Sequence, residues 1–310
     1  AHPGGSPAAR AALPATDRRA APPPGAGLMP INGKTAVVGL MGWPVSHSFS
    51  PAMHNAAAAA LGLNLVYVPL PTPPDLVAEA VRGLRALGFL GANVTIPHKQ
   101  AVLPLLDEID AGARATGAVN TIVVRDGQLR GANTDITGFS QDLQALGVPV
   151  AGRRALILGA GGSARAVAYA LGMAGATVTV LARRPAQAHR LAADLAPFLP
   201  PAHTPRVDSW DALAAHAAAD LIVNTTPLGM NPHDDASPWP RALPLPPHAF
   251  VYDLVYNPPC TPLLHLAARA GISHANGLGM LLRQGAAAFT LWTGRAPDLN
   301  VMAAALPLAQ

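Results

Sequence analysis

The sequence predicts an α/β fold built from two successive α/β units. Three observations carry that expectation. From Thr35 onward, short apolar runs alternate with stretches of helical spacing, the order that produces parallel sheets. One apolar run ends in a glycine turn at Gly159 that opens a further helical stretch. The chain has 310 residues, 50% hydrophobic and only 12% charged, which suffices for two cores and is too apolar for wholesale disorder.

Residues 1–31 are rich in Ala, Pro, Gly and Arg and run through Pro22, Pro23, Pro24 and Gly25. They read as a disordered tail, with Met29 inside it as an alternative start. Residues 35–42 (TAVVGLMG) form a short buried strand. Residues 50–62 start with Ser50 as N-cap and Pro51 at the first helical position, run through alanines and stop at Gly62, which predicts a helix. Residues 65–70 are a strand, 76–87 a helix closed by Gly88, 89–96 a strand and 99–106 a helix. This βαβαβα order implies a parallel sheet. Residues 119–125 and 128–133 flank Asp126–Gly127, a hairpin signal between β-rich runs. The second unit has a strand at 155–158, a helix from about 163 to 173, strands at 177–181, 221–225 and 250–254, and a long apolar helix over 280–292.

Composition excludes several functions. The single cysteine, Cys260, rules out a disulfide-stapled secreted scaffold. The net charge of +4 reflects a shortage of acids, with no basic run or basic–aromatic stripe, so no nucleic-acid partner is expected. Residues 35–74 contain no charged side chain but hold Pro44, Pro51, Pro69, Pro71, Pro73 and Pro74, so they cannot supply about 20 continuous apolar helical residues for a membrane span. Prolines rather than an apolar segment follow Arg18–Arg19, so a signal peptide is not expected and a cytoplasmic protein is. Cys260 stands alone and no H-E-x-x-H occurs, so no metal site is expected.

Gly159, Ala160, Gly161, Gly162, Ser163 and Ala164 fit G-x-G-x-x-A, between a strand and a helix. Glycines permit the tight turn and the close approach of a pyrophosphate, and the small Ala164 lets the helix lie near the strand. Helix N–H groups then hold the anion. The plain alternative is a tight βα turn without a ligand. The next strand ends in Leu181-Ala182-Arg183-Arg184, where NAD enzymes place an acid on the ribose. Arg183 and Arg184 instead suit a 2′-phosphate, which favours NADP. The alternative is a solvated arginine pair.

Of 21 basic residues only Lys34 and Lys99 are lysine. Lysine can give up a proton where arginine cannot. Lys99 follows Asn93-Val94-Thr95-Ile96-Pro97-His98 at a strand end, where α/β folds place site residues. Asp135, just after the hairpin, could orient such a lysine, or serve only as an Asx turn or helix cap.

Taken in order, these segments resemble the shikimate dehydrogenase family. The similarity runs from about Thr35 to Gly294. It rests on Pro44-Val45-Ser46-His47-Ser48-Phe49-Ser50-Pro51 with His54-Asn55, the segment ending in Lys99, Gly117-Ala118-Val119-Asn120-Thr121, and Asn133-Thr134-Asp135 with Gly138. The glycine turn follows, then Asn224-Thr225-Thr226-Pro227 with Gly229-Met230, Tyr252-Asp253-Leu254-Val255-Tyr256, and Asn276-Gly277 with Gly279-Met280-Leu281-Leu282 and Gln284.

The resemblance implies two α/β domains with a deep cleft between them: a substrate-binding domain over 32–136, completed by C-terminal helices over 279–310, and a Rossmann-type NADP-binding domain over 137–278. It implies reversible reduction of 3-dehydroshikimate to shikimate with NADPH. Lys99 and Asp135 would be the catalytic pair. Ser48 and Ser50 would bind the substrate carboxylate, and Thr95, Asn120, Tyr256 and Gln284 the ring hydroxyls or the closing wall. Thr225, Leu254 and Gly277 would join Gly159, Ala160, Gly161, Gly162, Ser163, Arg183 and Arg184 around the cofactor. A homodimer is compatible with it. Each residue also has a plain reading: Ser50 a helix cap, Asn120 a strand start, Tyr256 core, Gln284 solvent-facing. The run Ala182-Arg183-Arg184-Pro185 departs from the Asn-Arg-Thr or Asn-Arg-Ser of NADP-using members, leaving the phosphate to the arginines. Retention of serine at both positions of the Ser-x-Ser pair favours shikimate over quinate. The competing readings are a quinate/shikimate dehydrogenase using NAD and a non-catalytic metabolite sensor.

Overall fold

Leucine and β-branched residues, which fit a pleated and half-buried surface, form the first set of strands: β1 (Ala36–Gly42), β2 (Leu65–Pro71), β3 (Gly91–Val94), β4 (Glu108–Ile109), β5 (Thr121–Arg125) and β6 (Gln128–Ala132). Between them lie helices α1 (Ser50–Ala60), α2 (Val77–Ala86) and α3 (Ala111–Thr116). Helix α4 (Thr134–Ala145) leads into β7 (Arg154–Leu158), α5 (Gly162–Met173), β8 (Thr177–Leu181), α6 (Pro185–Leu195), β9 (Arg206–Asp208), β10 (Leu221–Asn224), β11 (Phe250–Asp253), α7 (Pro262–Arg269) and β12 (His274–Asn276). Helices α8 (Leu278–Thr293) and α9 (Leu299–Ala304) close the chain. The computed structural model describes residues 30–216, 218–230 and 234–306; the expected tail, but for Pro30 and Ile31, lies outside them.

The strands make two six-stranded sheets. The first has the order β2-β1-β3-β5-β6-β4. β1 pairs in parallel with β2 and β3, while β5 runs antiparallel to β3 and β6. The second has the order β12-β11-β10-β7-β8-β9 and is parallel throughout. Counted within its own unit, that is the 3-2-1-4-5-6 order of a dinucleotide-binding sheet. Apolar side chains cover both faces of each sheet. On the first, Met53, Ala57, Phe289, Trp292 and Met302 pack on one face and Val77, Val81 and Leu84 belong to the core of the other. On the second, Phe139, Val167, Leu171 and Leu191 pack together, with Leu213, Trp239, Leu263 and Ala267 in the opposite core.

Several local expectations change. No α-helix forms over 99–106; that stretch is turns and a short 3-10 helix at Leu103–Leu105. Pro104 lacks an N–H and crowds the carbonyl four residues back, and it biases Leu103 away from α geometry. The first sheet is mixed rather than parallel, because the Asp126–Gly127 turn reverses the chain. Both turn residues have positive φ, 53° and 74°, as a type I′ hairpin requires. Ser50 is the first residue of α1 rather than its cap, and the N-cap Phe49 makes no side-chain capping bond. The strand expected over 89–96 shortens to β3, whose exit is marked by the cis Ile96–Pro97 bond.

Helices α4 and α8 cross in close contact. A Cβ on Gly138 would stand 2.7 Å from Gln284 Cβ and 2.8 Å from its backbone N. The missing side chain therefore brings the start of α4, with Asp135, against the middle of α8, with Gln284.

Candidate active site

Ligands in open α/β sheets bind beyond the carboxyl ends of strands at the point where the strand order reverses. Each sheet has such a point, between β1 and β3 in the first and between β7 and β10 in the second. The loops leaving these strands line one cavity of about 360 Å³. Trp43 to Ser50 and Thr95 to Lys99 contribute from one side, Ser163, Thr225 and Leu254 to Asn257 from the other, and Met280, Leu281 and Gln284 of α8 form part of the wall.

Lys99 sits in the turn after β3. Its Nζ donates to Asp135 Oδ2 at 2.6 Å and to Ser163 Oγ at 3.2 Å. The two side chains of the ion pair are 12% and 6% exposed. Both charges are thus withdrawn from bulk water but paired, as burial demands. Asp135 lies in the first turn of α4, where the helix dipole favours an anion, and Asn120 Nδ2 donates to its other oxygen at 2.8 Å. Two of the three ammonium donors are used, which leaves one for a ligand.

Asn120 is the hub behind this pair. Its Nδ2 also donates to Thr134 Oγ1 at 2.9 Å and reaches Gln284 Oε1 at 3.4 Å, while its Oδ1 accepts from Thr134 N at 2.7 Å. Asn93 Nδ2 donates to Asn120 O at 3.1 Å, and Tyr67 OH donates to Asn93 Oδ1 at 2.8 Å. At the other end of the cavity Ser48 Oγ donates to Ser50 Oγ at 3.2 Å. Tyr256 packs obliquely on Phe49 with ring centroids 5.5 Å apart. Burial pushes its hydroxyl up to about 12, so at neutral pH it is protonated and can donate.

The glycine turn meets this assembly from the other lobe. Gly159 has φ 110° and its absent Cβ would lie 2.6 Å from Thr225 Oγ1. Gly161 caps α5 without any side-chain hydrogen bond, and the space a Cβ would take there is open. The first N–H groups of a twelve-residue helix follow this open point of the turn, which suits a pyrophosphate. Past β8, Arg183 and Arg184 are exposed. These features fit a dinucleotide carrying a 2′-phosphate.

All eight residues expected around the substrate, Ser48, Ser50, Thr95, Lys99, Asn120, Asp135, Tyr256 and Gln284, line the cavity, with Ser163, Thr225, Leu254 and Gly277 of the cofactor set. Gly159, Ala160, Gly161 and Gly162 lie along the turn that leads to Ser163, and Arg183 and Arg184 lie past the end of β8. Asp135 is not the cap of α4: Asn133 is, accepting from Asp135 N at 3.1 Å. Gln284 is buried rather than solvent-facing. Sequence reasoning missed Asn93 as a support of Asn120, although an asparagine inside an apolar strand is a signal in itself. It also missed Trp43, a large apolar side chain 48% exposed that lines the cavity, for which sequence carries no signal.

Known proteins resemble this chain over most of its length. The family model of the shikimate dehydrogenase substrate binding domain matches residues 40–122, and that of the shikimate 5′-dehydrogenase C-terminal domain matches residues 277–306. The chain is 50% identical over 273 residues to a shikimate dehydrogenase (NADP+) of Symbiobacterium thermophilum, covering 87% of this chain and 93% of that one. Among solved structures, a shikimate dehydrogenase in complex with NADP+ superposes with a TM-score of 0.84 at 41% identity, covering 90% and 96% of the two chains. The shikimate 5-dehydrogenase of Thermus thermophilus in complex with NADP(H) and shikimate does so with 0.78 at 40% identity, covering 87% and 98%.

Proposed function

The chain belongs to the shikimate dehydrogenase family, and from that premise we propose how its residues perform the reaction. It is an NADP-dependent oxidoreductase that reversibly reduces 3-dehydroshikimate to shikimate, a step of aromatic amino acid biosynthesis.

NADPH, when bound, supplies the hydride. The remaining work belongs to the chain. The N-terminus of α5 and the glycine turn would hold the pyrophosphate, and Arg183 with Arg184 would hold the 2′-phosphate. Thr225, Leu254 and Gly277, which line the cavity, would contact the cofactor there. Ser48 and Ser50 bind the substrate carboxylate through their hydroxyls. Thr95, Asn120, Gln284 and Tyr256 hold the ring hydroxyls with neutral donors and acceptors. Negative charge grows on the carbonyl oxygen during reduction. The Lys99 ammonium stabilises that charge and delivers its proton to the oxygen. Asp135 holds the amine in place and balances its charge. On this reading the substrate-binding unit is residues 32–136 with 279–310, and the nucleotide-binding unit is 137–278. The cytoplasm is the location that fits this reading, and the mass in solution tests for a homodimer. Among the described residues no helix is long and apolar enough to cross a membrane.

The observation that carries these roles is the 2.6 Å contact between Lys99 and Asp135 on the cavity wall, beside the glycine turn. Steady-state rates with shikimate or quinate, each with NADP or NAD, test the reading. Shikimate with NADP should be the fastest pair. Faster quinate turnover with NAD overturns the specificity, and ligand binding without any change in nicotinamide absorbance overturns the chemistry.

A further inference from the structure

Arg165 is a charged side chain with only 4% of its surface exposed, four residues into α5 and outside the cavity. Its Nη1 donates to the backbone carbonyl of Thr116 at 3.0 Å, and its Nη2 donates to Asp194 Oδ2 on α6 at 2.6 Å. Thr116 ends α3, so its carbonyl has no helical donor of its own. The guanidinium on the glycine-turn helix thus fastens the last residue of a helix in the other lobe.

What lies beyond Thr116 gives that contact its meaning. Thr116 Oγ1 accepts from Asn133 Nδ2 at 3.0 Å, and Ala118 O accepts from the same nitrogen at 2.8 Å. Asn133 is the cap of α4 and accepts from Asp135 N at 3.1 Å. Two residues beyond Ala118, Asn120 donates to Asp135 Oδ1. Thr116, Asn120, Asn133 and Asp135 are all at least 95% buried. Segment 116–120 therefore holds Asp135 directly, from Asn120 to Oδ1, and indirectly, through Asn133 and the Asp135 N–H it accepts from, and Arg165 holds that segment from the nucleotide side. The same helix touches the other partner, because Ser163 accepts from Lys99 Nζ at 3.2 Å.

We propose that Arg165 is a positioning residue for the reaction: through Thr116 and Asn133 it ties the nucleotide-binding helix α5 to Asp135, and so holds the Lys99–Asp135 pair aligned with the bound dinucleotide. The inference rests on the catalytic reading above. Its effect should fall on hydride transfer rather than on cofactor affinity, since its guanidinium is engaged by Thr116 O and Asp194.

The test uses the full chain with NADPH and 3-dehydroshikimate, comparing Arg165→Gln, Arg165→Lys and Thr116→Val. Turnover is counted per bound NADPH, the NADPH Kd is read from its fluorescence, and the primary isotope effect from deuterated NADPH. A small misplacement of reacting groups costs up to about a hundredfold, so Arg165→Gln should lower kcat about ten- to a hundredfold with Kd within about threefold. Its isotope effect should rise as hydride transfer becomes limiting. Arg165→Lys, which keeps one charged donor for Thr116, should recover most of the loss. Thr116→Val should lower kcat on its own and add little to Arg165→Gln. An Arg165→Gln enzyme with normal kcat and isotope effect, whatever its melting temperature, overturns the inference, as does a loss confined to NADPH affinity. If that variant does not fold, an unchanged kcat and isotope effect in Thr116→Val overturns it. An inactive wild type instead overturns the catalytic reading, and this inference with it.

Discussion

At the residue scale, two buried groups write opposite pH dependences into the fold. His54 is fully buried, stacked on Tyr67 with centroids 4.4 Å apart, and both ring nitrogens lack a hydrogen-bond partner. Burial drives its imidazole from 6.5 down to about 3. The unfolded chain binds the proton more tightly, so His54 contributes full stability above pH 6.5 and loses it as pH falls towards 3, at most about 5 kcal/mol. Asp253, buried among Asn224, Thr261 and the Val255 N–H, is pushed from 3.8 up to about 6. There the folded state binds the proton more tightly, so its stability is present below pH 3.8 and is lost as pH rises through 6. Urea midpoints from pH 4 to 8 should show His54→Phe flattening the acid-side loss and Asp253→Asn flattening the loss on the rise through pH 6. Unchanged slopes contradict the assignments. Arg183→Asp should lower the NADP-to-NAD rate ratio by at least about tenfold, because it replaces a 2′-phosphate donor with a 2′-hydroxyl acceptor. An unchanged ratio contradicts the phosphate site.

At the scale of elements, α1, α2 and α5, strands β1, β2, β7, β8, β10 and β11 and the β5–β6 hairpin were legible because their signals are local: an apolar run, a proline at a helix start, an Asp–Gly turn. The false helix over 99–106 shows the limit. Pro104 keeps that run from continuing as an α-helix. The short β4 and α3 were missed because two strand residues and six helical ones make no periodic signal, and α3 depends on the Asp110 cap, which accepts from Ala113 N at 2.6 Å. The α4–α8 crossing gives a prediction at this scale. Gly138→Ala gains helix propensity of up to about 1 kcal/mol. It also forces a Cβ to within 2.7 Å of Gln284, and overpacking of that kind costs about 1–3 kcal/mol. Denaturant unfolding should show net destabilisation, and activity should fall further than stability requires because Gln284 moves from Asn120. A stabilised, fully active variant contradicts the close crossing.

At the scale of the whole molecule, the site is a product of topology. Two sheets present their order-reversal points to one cleft, so residues as distant in sequence as Ser48, Asp135, Thr225 and Gln284 line one cavity. Sequence motifs named most of the cavity wall, because glycine turns and strand-end polar residues keep their chemistry in view. The buried polar scaffold behind that wall was not legible. Arg165 and the Tyr252–Asp142 bond of 2.6 Å each depend on partners far along the chain, and no local pattern marks them.

The central claim is that Lys99, held by Asp135, delivers the proton in the reduction. The measurement that tests it most directly is kcat for Lys99→Ala with NADPH and 3-dehydroshikimate, alongside the NADPH Kd. Loss of a positioned proton donor should lower kcat by at least about 10²–10⁴-fold with the Kd within about threefold. A variant that keeps more than about a tenth of wild-type kcat contradicts the account.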